Sequence, residues 1–524
     1  MSESLPTLGL ADGDPAEQAV DAVVIGVYSQ DADAPAPLLL ASGAESIAAA
    51  FEGRLVQTLA LLGASGAAGE VTKLATLGTI SAPLVVAVGL GPEPAGALPA
   101  TDVLRRAAGV AARALAGTGT ALFALPVADD PEREPEAVRA LAEGALLGAY
   151  QFAGYKTKGN GRRPALRSAT MHVPDAKDRA VKAETKRAST VVRAVARTRD
   201  WVNTAPNELR PPDFADAVAA AGTAAGLSVE VLDEKALKRG GYGGILAVGM
   251  GSTAPPRLVR LAYAPRGAVQ HLALIGKGIT FDTGGYAVKP ASGMWEMKGD
   301  MAGAAAVASV LLAVAALKPK LAVTGYLPMA ENMISGSAYR PGDVVTMYNG
   351  LKVEVLNPDA EGRMVLADAM ARACEDEPDY LLETSTLTGG QVVALGKRIA
   401  GVMGDEDFCQ WVKEAGDAAG EPAWPMPLPD DVRKGMDSDV ADISQTNANM
   451  DRAGHMLQGG IFLSQFVTAD LPWAHLDIAG PSYHSGEPTG YWSKGGTGVP
   501  VRTVLELIDR LTQPGSAARL RRSL

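Results

Sequence analysis

The run Leu272-Ala273-Leu274-Ile275-Gly276-Lys277-Gly278-Ile279-Thr280-Phe281-Asp282-Thr283-Gly284-Gly285 opens with four apolar residues and then turns polar and glycine-rich. The apolar part, Leu272 to Ile275, reads as a buried strand. In open α/β sheets, ligands sit beyond the carboxyl ends of strands, and the polar stretch leaves one such end. Its glycines let the backbone approach a ligand closely. Lys289-Pro290 and Lys298-Gly299-Asp300 follow, then Ala302 to Leu317, an Ala- and Gly-rich run that predicts a buried helix. That run is shorter than the roughly 20 residues that span a bilayer. Leu321 to Leu327 reads as the next strand.

Working outward, alternation of strand and helix continues in both directions. Downstream, Val344 to Tyr348 and Lys352 to Leu356 flank Asn349-Gly350, a pair favoured in tight hairpin turns with positive φ. Met364 to Glu375 predicts a helix, Tyr380 to Thr384 a strand and Val499 to Leu511 a closing helix. Upstream, Ala22 to Val27, Pro83 to Val88 and Thr120 to Leu125 are strand-like. They are separated by helical patterns at Val103 to Leu115 and Glu134 to Tyr150, and the series ends near a strand at Ala165 to His172. Asp175 to Val202 is dense in charge and predicts an exposed connecting helix. The expected fold class is α/β: a smaller N-terminal α/β domain over 1–174, a connecting helix over 175–202, and a larger C-terminal α/β domain over 203–524 with a mixed sheet flanked by helices.

A chain of 524 residues, 47% hydrophobic and 20% charged, is long enough for two or three cores of about 150 residues each. Its net charge of −11 disfavours nucleic acid as the main partner, because phosphate binding draws on counterion release at basic surfaces. The exception is a small basic tail, Arg519-Leu520-Arg521-Arg522. Two cysteines, Cys374 and Cys409, are too few for a disulfide framework or a thiolate metal site, and a reducing cytoplasm is expected. Met1 to Asp14 is acidic and carries Pro6, unlike a secretory signal. No membrane partner is expected.

Several common signatures are missing. Gly276-Lys277-Gly278 lacks the upstream glycine and the hydroxyl of a phosphate-cradling loop. Gly249-Met250-Gly251 and Gly89-Leu90-Gly91 lack the third glycine of a dinucleotide turn. The five histidines are scattered, with no His-Glu-x-x-His and no Gly-x-Ser-x-Gly. His475 lies in apolar surroundings and reads as a core histidine with a satisfied hydrogen bond.

The acids offer more. Asn357-Pro358-Asp359-Ala360-Glu361-Gly362-Arg363 ends another strand, and residues two apart in an extended segment point the same way, so Asp359 and Glu361 can share a target. Taken singly, each residue has a bland explanation: Asp300 as a helix cap, Asp359 and Glu361 as turn acids, Lys277 as a solvated lysine. Brought together, Asp282, Asp300, Asp359 and Glu361 would repel one another unless cations neutralised them. Two divalent ions balance four carboxylates and activate water for hydrolysis. Lys277 can join as a nitrogen ligand if neutral, and Lys289 can act as a charged electrophile. Arg363 stands at a helix start, where the macrodipole is already positive, and so marks an anion site for a carboxylate or carbonate.

These segments, with Met297-Lys298-Gly299-Asp300-Met301, resemble the leucyl (cytosol) aminopeptidase family. Asn203 to Pro212, Glu331-Asn332-Met333, Pro341-Gly342-Asp343-Val344, Thr386-Leu387-Thr388-Gly389 and Pro472 to Gly480 are similar too, so the resemblance spans roughly Trp201 to Leu511. It implies a dinuclear metallo-aminopeptidase that hydrolyses the N-terminal residue, preferring Leu and other large apolar residues, through a metal-bridging water. Lys277, Asp282, Asp300, Asp359 and Glu361 would bind two divalent ions, Mn²⁺, Zn²⁺ or Mg²⁺, with Asp282 and Glu361 bridging and Asp359 adding its carbonyl. Lys289 and Arg363 would be catalytic, the latter holding carbonate. Met297, Asn357, Thr386 and Gly389 would line the substrate pocket. Peptides with a free N-terminus, a homo-hexamer and a cytoplasmic location are also implied. The family carries threonine where this chain has Pro358, and leucine where it has Met364. Rival readings are a two-metal phosphoesterase and a non-catalytic DNA-binding protein on the same fold.

Overall fold

The computed structural model of the chain describes residues 5–30, 38–96, 98–127, 132–157 and 163–513. The basic tail at Arg519 to Arg522 lies outside them. The chain forms two compact units, Met1–Ala196 with Gly486–Lys494, and Arg197–Ser485 with Gly495–Leu524. The division falls inside the helix Arg179–Asn203.

In the first unit the strand Ala22–Ser29 is buried along nearly its whole length, as a β-branched run covered on both faces must be. Among the described residues it lies in a seven-stranded sheet ordered Thr7–Ala11, Ser168–His172, Thr120–Ala124, Ala22–Ser29, Leu84–Pro92, Val71–Ala75, with Leu38–Leu40 paired to Ala22–Ser29. The central neighbours run parallel, while Val71–Ala75 and Leu38–Leu40 are antiparallel. The helices Thr101–Ala114 and Glu134–Ala149 cross closely: a Cβ at Gly148 would stand 2.0 Å from the Gly109 carbonyl. Arg105 and Glu143 make a buried ion pair of 2.9 Å on the same helices.

In the second unit, among the described residues, a nine-stranded mixed sheet runs Ala423–Pro425, Ala400–Gly404, Trp473–Asp477, Tyr380–Ser385, His271–Gly276, Ala322–Asn332, Arg257–Tyr263, Ser228–Leu232, with Gly278–Asp282 added beside Ala322–Asn332. Its centre is parallel, and the helix Ala302–Leu317 is apolar on every side because it is buried almost throughout. Among the parallel strands, the carboxyl ends of His271–Gly276 and Gly278–Asp282 lead into Lys277, Lys289 and Asp300, and those of Tyr380–Ser385 and Trp473–Asp477 lead into Thr386 to Gly389 and Ala479 to Tyr483.

Three expectations need correction. The stretch after Gly276 is not all loop: Gly278–Asp282 pairs with the last residues of Ala322–Asn332, with a register shift between Ile279 and Phe281. The hairpin at Asn349-Gly350 has only Gly350 at positive φ, 91°, and Met347 closes the loop onto the Leu351 carbonyl at 2.8 Å. That is a longer turn than the two-residue type, so Val344–Thr346 and Lys352–Glu354 are shorter than expected. The helix expected from Met364 begins at Glu361, which places Glu361 and Arg363 in its first turn.

Candidate metal centre

Each candidate acid arrives on a different segment. Asp282 ends Gly278–Asp282, Asp300 closes the short 3₁₀ turn Met294–Gly299, Asp359 stands in a turn, and Glu361 opens the helix Glu361–Cys374. The tertiary fold nevertheless brings them together: carboxylate oxygens of Asp282, Asp359 and Glu361 lie within 4.8 Å of one another. Two ammonium groups stand among them. The Lys277 Nζ is 2.9 Å from Asp300 Oδ1 and Oδ2 and 2.9 Å from Glu361 Oε1, and it donates to the Thr386 carbonyl at 3.1 Å. The Lys289 Nζ is 2.7 Å from Asp282 Oδ2 and 2.5 Å from Asp359 Oδ1. Thr386 Oγ1 donates to Asp300 Oδ1 at 2.6 Å.

The electrostatics follow from burial. Asp282, Asp300 and Asp359 are all held above the ordinary carboxylate range, first because burial strips their charge of water and then because the neighbouring acids repel it. Burial would push the two lysines down, but the surrounding carboxylates raise both above their usual value. Four carboxylates face two ammonium groups, which leaves two negative charges uncompensated in a desolvated pocket. Such a donor set, oxygen-rich with one amine nitrogen, fits divalent cations.

Lys277, Asp282, Lys289, Met297, Asp300, Asp359, Glu361, Thr386 and Gly389 line one cavity of about 360 Å³. Asn357 and Arg363 are not among its lining residues. Asn357 shapes the turn instead, its Oδ1 accepting the Asp359 amide at 3.0 Å. Arg363 is buried beside the Phe462 ring, and its Nη1 donates to the Gln445 carbonyl at 2.6 Å. Burial pushes its guanidinium down to about 10, against the pull of Glu361 and Asp477. Its Nε has no hydrogen-bond partner among the described residues.

The same cavity is lined by Leu387, Thr388, Val392, Ala479, Ser482 and Tyr483, which the sequence reading did not single out. Leu387, Thr388 and Ala479 fall in stretches carrying the family resemblance, and that signal could have found them. Ser482 and Tyr483 had none. Asn332, whose amide donates to Asp282 Oδ1 at 2.8 Å, was likewise unassigned. His475 is fully buried and bonds Glu383 through Nδ1, away from the acids described above.

Comparisons with known proteins show which family the chain belongs to. The cytosol aminopeptidase family model for the catalytic domain matches residues 196–505, and that for the N-terminal domain matches residues 24–159. A "probable cytosol aminopeptidase" of Streptomyces griseus is 50% identical over 97% of this chain and 99% of its own. One from Streptomyces coelicolor is 51% identical over 93% of this chain and 95% of its own. Among solved structures, the bottromycin maturation enzyme BotP in complex with Mn is 34% identical, with a TM-score of 0.80 over 94% of this chain and 100% of that one. A mutant of tomato leucine aminopeptidase reaches a TM-score of 0.84 at 29% identity, covering 96% of each chain. The chain therefore belongs to the cytosol aminopeptidase family and is a metal-dependent aminopeptidase, a hydrolase of peptide bonds.

Proposed function

We propose that this enzyme releases the N-terminal residue of peptides, preferring leucine and other large apolar side chains, at a dinuclear centre held by Lys277, Asp282, Asp300, Asp359 and Glu361. The observation that carries the reading is the convergence of four carboxylates and two lysines on one cavity that is also lined by Met297, Leu387, Val392 and Ala479. At about 360 Å³ it takes a residue or two of substrate, as an exopeptidase requires. When bound, a pair of divalent ions would supply Lewis acidity at the scissile carbonyl and lower the pKa of a nucleophilic water.

In this reading Asp282 and Glu361 would hold the ions together with Lys277 and Asp300, and Asp359 would contribute its carbonyl as well as its side chain. Lys289, anchored by Asp282 and Asp359, keeps a positive charge beside the position where the oxyanion develops. Met297, Thr386 and Gly389 receive the first side chain, and Asn357 shapes the turn that carries Asp359. Arg363 Nε, without a hydrogen-bond partner among the described residues, is a donor that could hold a carbonate serving as general base. Mn²⁺ and Zn²⁺ both suit the donor set. Family resemblance supports a homo-hexamer in the cytoplasm.

Hydrolysis of leucine p-nitroanilide by the Mn²⁺-loaded protein, with and without chelator, tests the reading. Turnover that is lost on chelation and restored by Mn²⁺ is expected. A loaded protein that binds two ions yet cleaves no aminoacyl amide would overturn it.

A further inference from the structure

The turn that carries Asp359 into Glu361 satisfies the Asp359 and Ala360 amides through Asn357, and its other hydrogen-bonded backbone groups are held by side chains from elsewhere in the chain. The Pro358 carbonyl accepts from Asn332 Nδ2 at 3.0 Å and from the Tyr339 hydroxyl at 2.8 Å. Gln445 Oε1 accepts the amides of Leu356 and Asn357, each at 2.9 Å, and Gln445 Nε2 donates to the Ala360 carbonyl at 3.1 Å. Asn332, Tyr339 and Gln445 are all buried, at 1%, 3% and 0% exposure. None of the three was counted among the ligand or substrate residues.

We propose that Asn332, Tyr339 and Gln445 are positioning residues that hold Asp359 and Glu361 in register with Asp282 for metal binding. The physical need is clear from the charges. Carboxylates gathered within 4.8 Å push one another apart, and a turn with buried amides and carbonyls stays closed only if those groups are satisfied. Asn332 is the node: the second hydrogen of its amide goes to Asp282 Oδ1 at 2.8 Å, so one side chain ties the strand bearing Asp282 to the turn bearing Asp359. Its backbone adds a third tie, because the Asn332 carbonyl accepts the Thr283 amide at 3.1 Å and the Thr283 hydroxyl at 2.8 Å. Pro358 fits this role as well, since its ring removes a backbone donor that would otherwise need a partner in the crowded turn.

The inference rests on the metal centre proposed above, and its test separates the two. Tyr339→Phe removes one hydroxyl and keeps the buried ring, while Asn332→Ala removes the whole node. On the full chain, Mn²⁺ binding is measured by calorimetric titration, kcat and KM at saturating Mn²⁺, and the melting midpoint in EDTA. A Mn²⁺ dissociation constant raised about 10- to 100-fold is expected for Asn332→Ala, and about 10-fold for Tyr339→Phe, the scale of lost outer-sphere support. Saturating Mn²⁺ should restore most of kcat, and the EDTA midpoint of Tyr339→Phe should stay near wild type. Unchanged Mn²⁺ affinity in Tyr339→Phe, with wild type binding two ions, overturns the proposal even if Asn332→Ala fails to fold. So does a loss of affinity in Tyr339→Phe matched by an equal fall of its EDTA midpoint, which marks a merely structural role. A wild-type protein that binds no Mn²⁺ overturns the metal centre itself and this inference with it.

Discussion

Glu361→Gln distinguishes acids gathered for a cation from acids gathered for the fold. Glu361 is buried, with one oxygen 2.9 Å from Lys277 Nζ. At an effective dielectric of about 20, that contact is worth about 6 kcal/mol of attraction. Asp282 and Asp359, with oxygens no more than 4.8 Å away, each return about 3.5 kcal/mol or more of repulsion. Asp300 adds to the repulsion while Lys289 and Arg363 add to the attraction, so the terms largely cancel. Glutamine can keep its carbonyl on Lys277 and turn its amide towards the acids, so the metal-free variant should be as stable as wild type or about 1 kcal/mol more so. An ordinary buried ion pair that loses one partner costs about 3–5 kcal/mol instead. Scanning calorimetry in EDTA reads this difference, and a second scan with Mn²⁺ reads the other half. Wild type should gain about 2.7 kcal/mol when Mn²⁺ stands at a hundred times its dissociation constant, and Glu361→Gln should lose most of that gain. A variant that melts well below wild type in EDTA, or that keeps the full Mn²⁺ stabilisation, would refute the reasoning.

Lys289→Ala should keep the fold by circular dichroism while kcat on leucine p-nitroanilide falls about 10²- to 10³-fold, since a preorganised charge is lost; near-normal kcat would remove Lys289 from the chemistry. At Gly362 an added Cβ would lie 2.5 Å from Lys277 Cε and 2.7 Å from its Nζ, so Gly362→Ala should displace Lys277 and lower the Mn²⁺ stoichiometry measured by elemental analysis. Asp376, against the upward push of burial, is held at about 2 by hydrogen bonds from Tyr326, Arg372 and Arg260. Its folded value is therefore depressed, and its contribution is present above about pH 4 and lost as pH falls towards 2. Asp376→Asn should cost about 1 kcal/mol at pH 7, after allowance for solvent screening, and little at pH 2, as urea titrations at the two pH values will show.

Legibility differed by element. The helix Ala302–Leu317 and the strands starting near Ala22 and Tyr380 were readable because long apolar or β-branched runs carry their own period. The edge strands Thr7–Ala11, Val71–Ala75 and Ser228–Leu232 were missed. They are short and only partly buried, so no apolar run marks them. Gly278–Asp282 looked like loop because two of its neighbours are glycines and its pairing partner lies some fifty residues away, as the Asp282 to Asn332 register shows.

The order of residues along the chain was enough to establish the chemistry available: four acids and two lysines beside strand ends, an acidic balance, and no histidine or thiol set to compete with them. Distance was another matter. Asp282 and Glu361 meet only because parallel strands bring separate crossovers to the same sheet edge. Lys277 stands between Asp300 and Glu361 for the same reason. Arg363, read as an anion site from its place at a helix start, is buried against Phe462 with its Nη1 on the Gln445 carbonyl, partners that lie about 80 to 100 residues further along the chain. Local sequence carries periodicity and side-chain chemistry, whereas the closing of a buried cluster of like charges depends on partners such as Asn332, Tyr339 and Gln445 that reach it only once the sheet has formed.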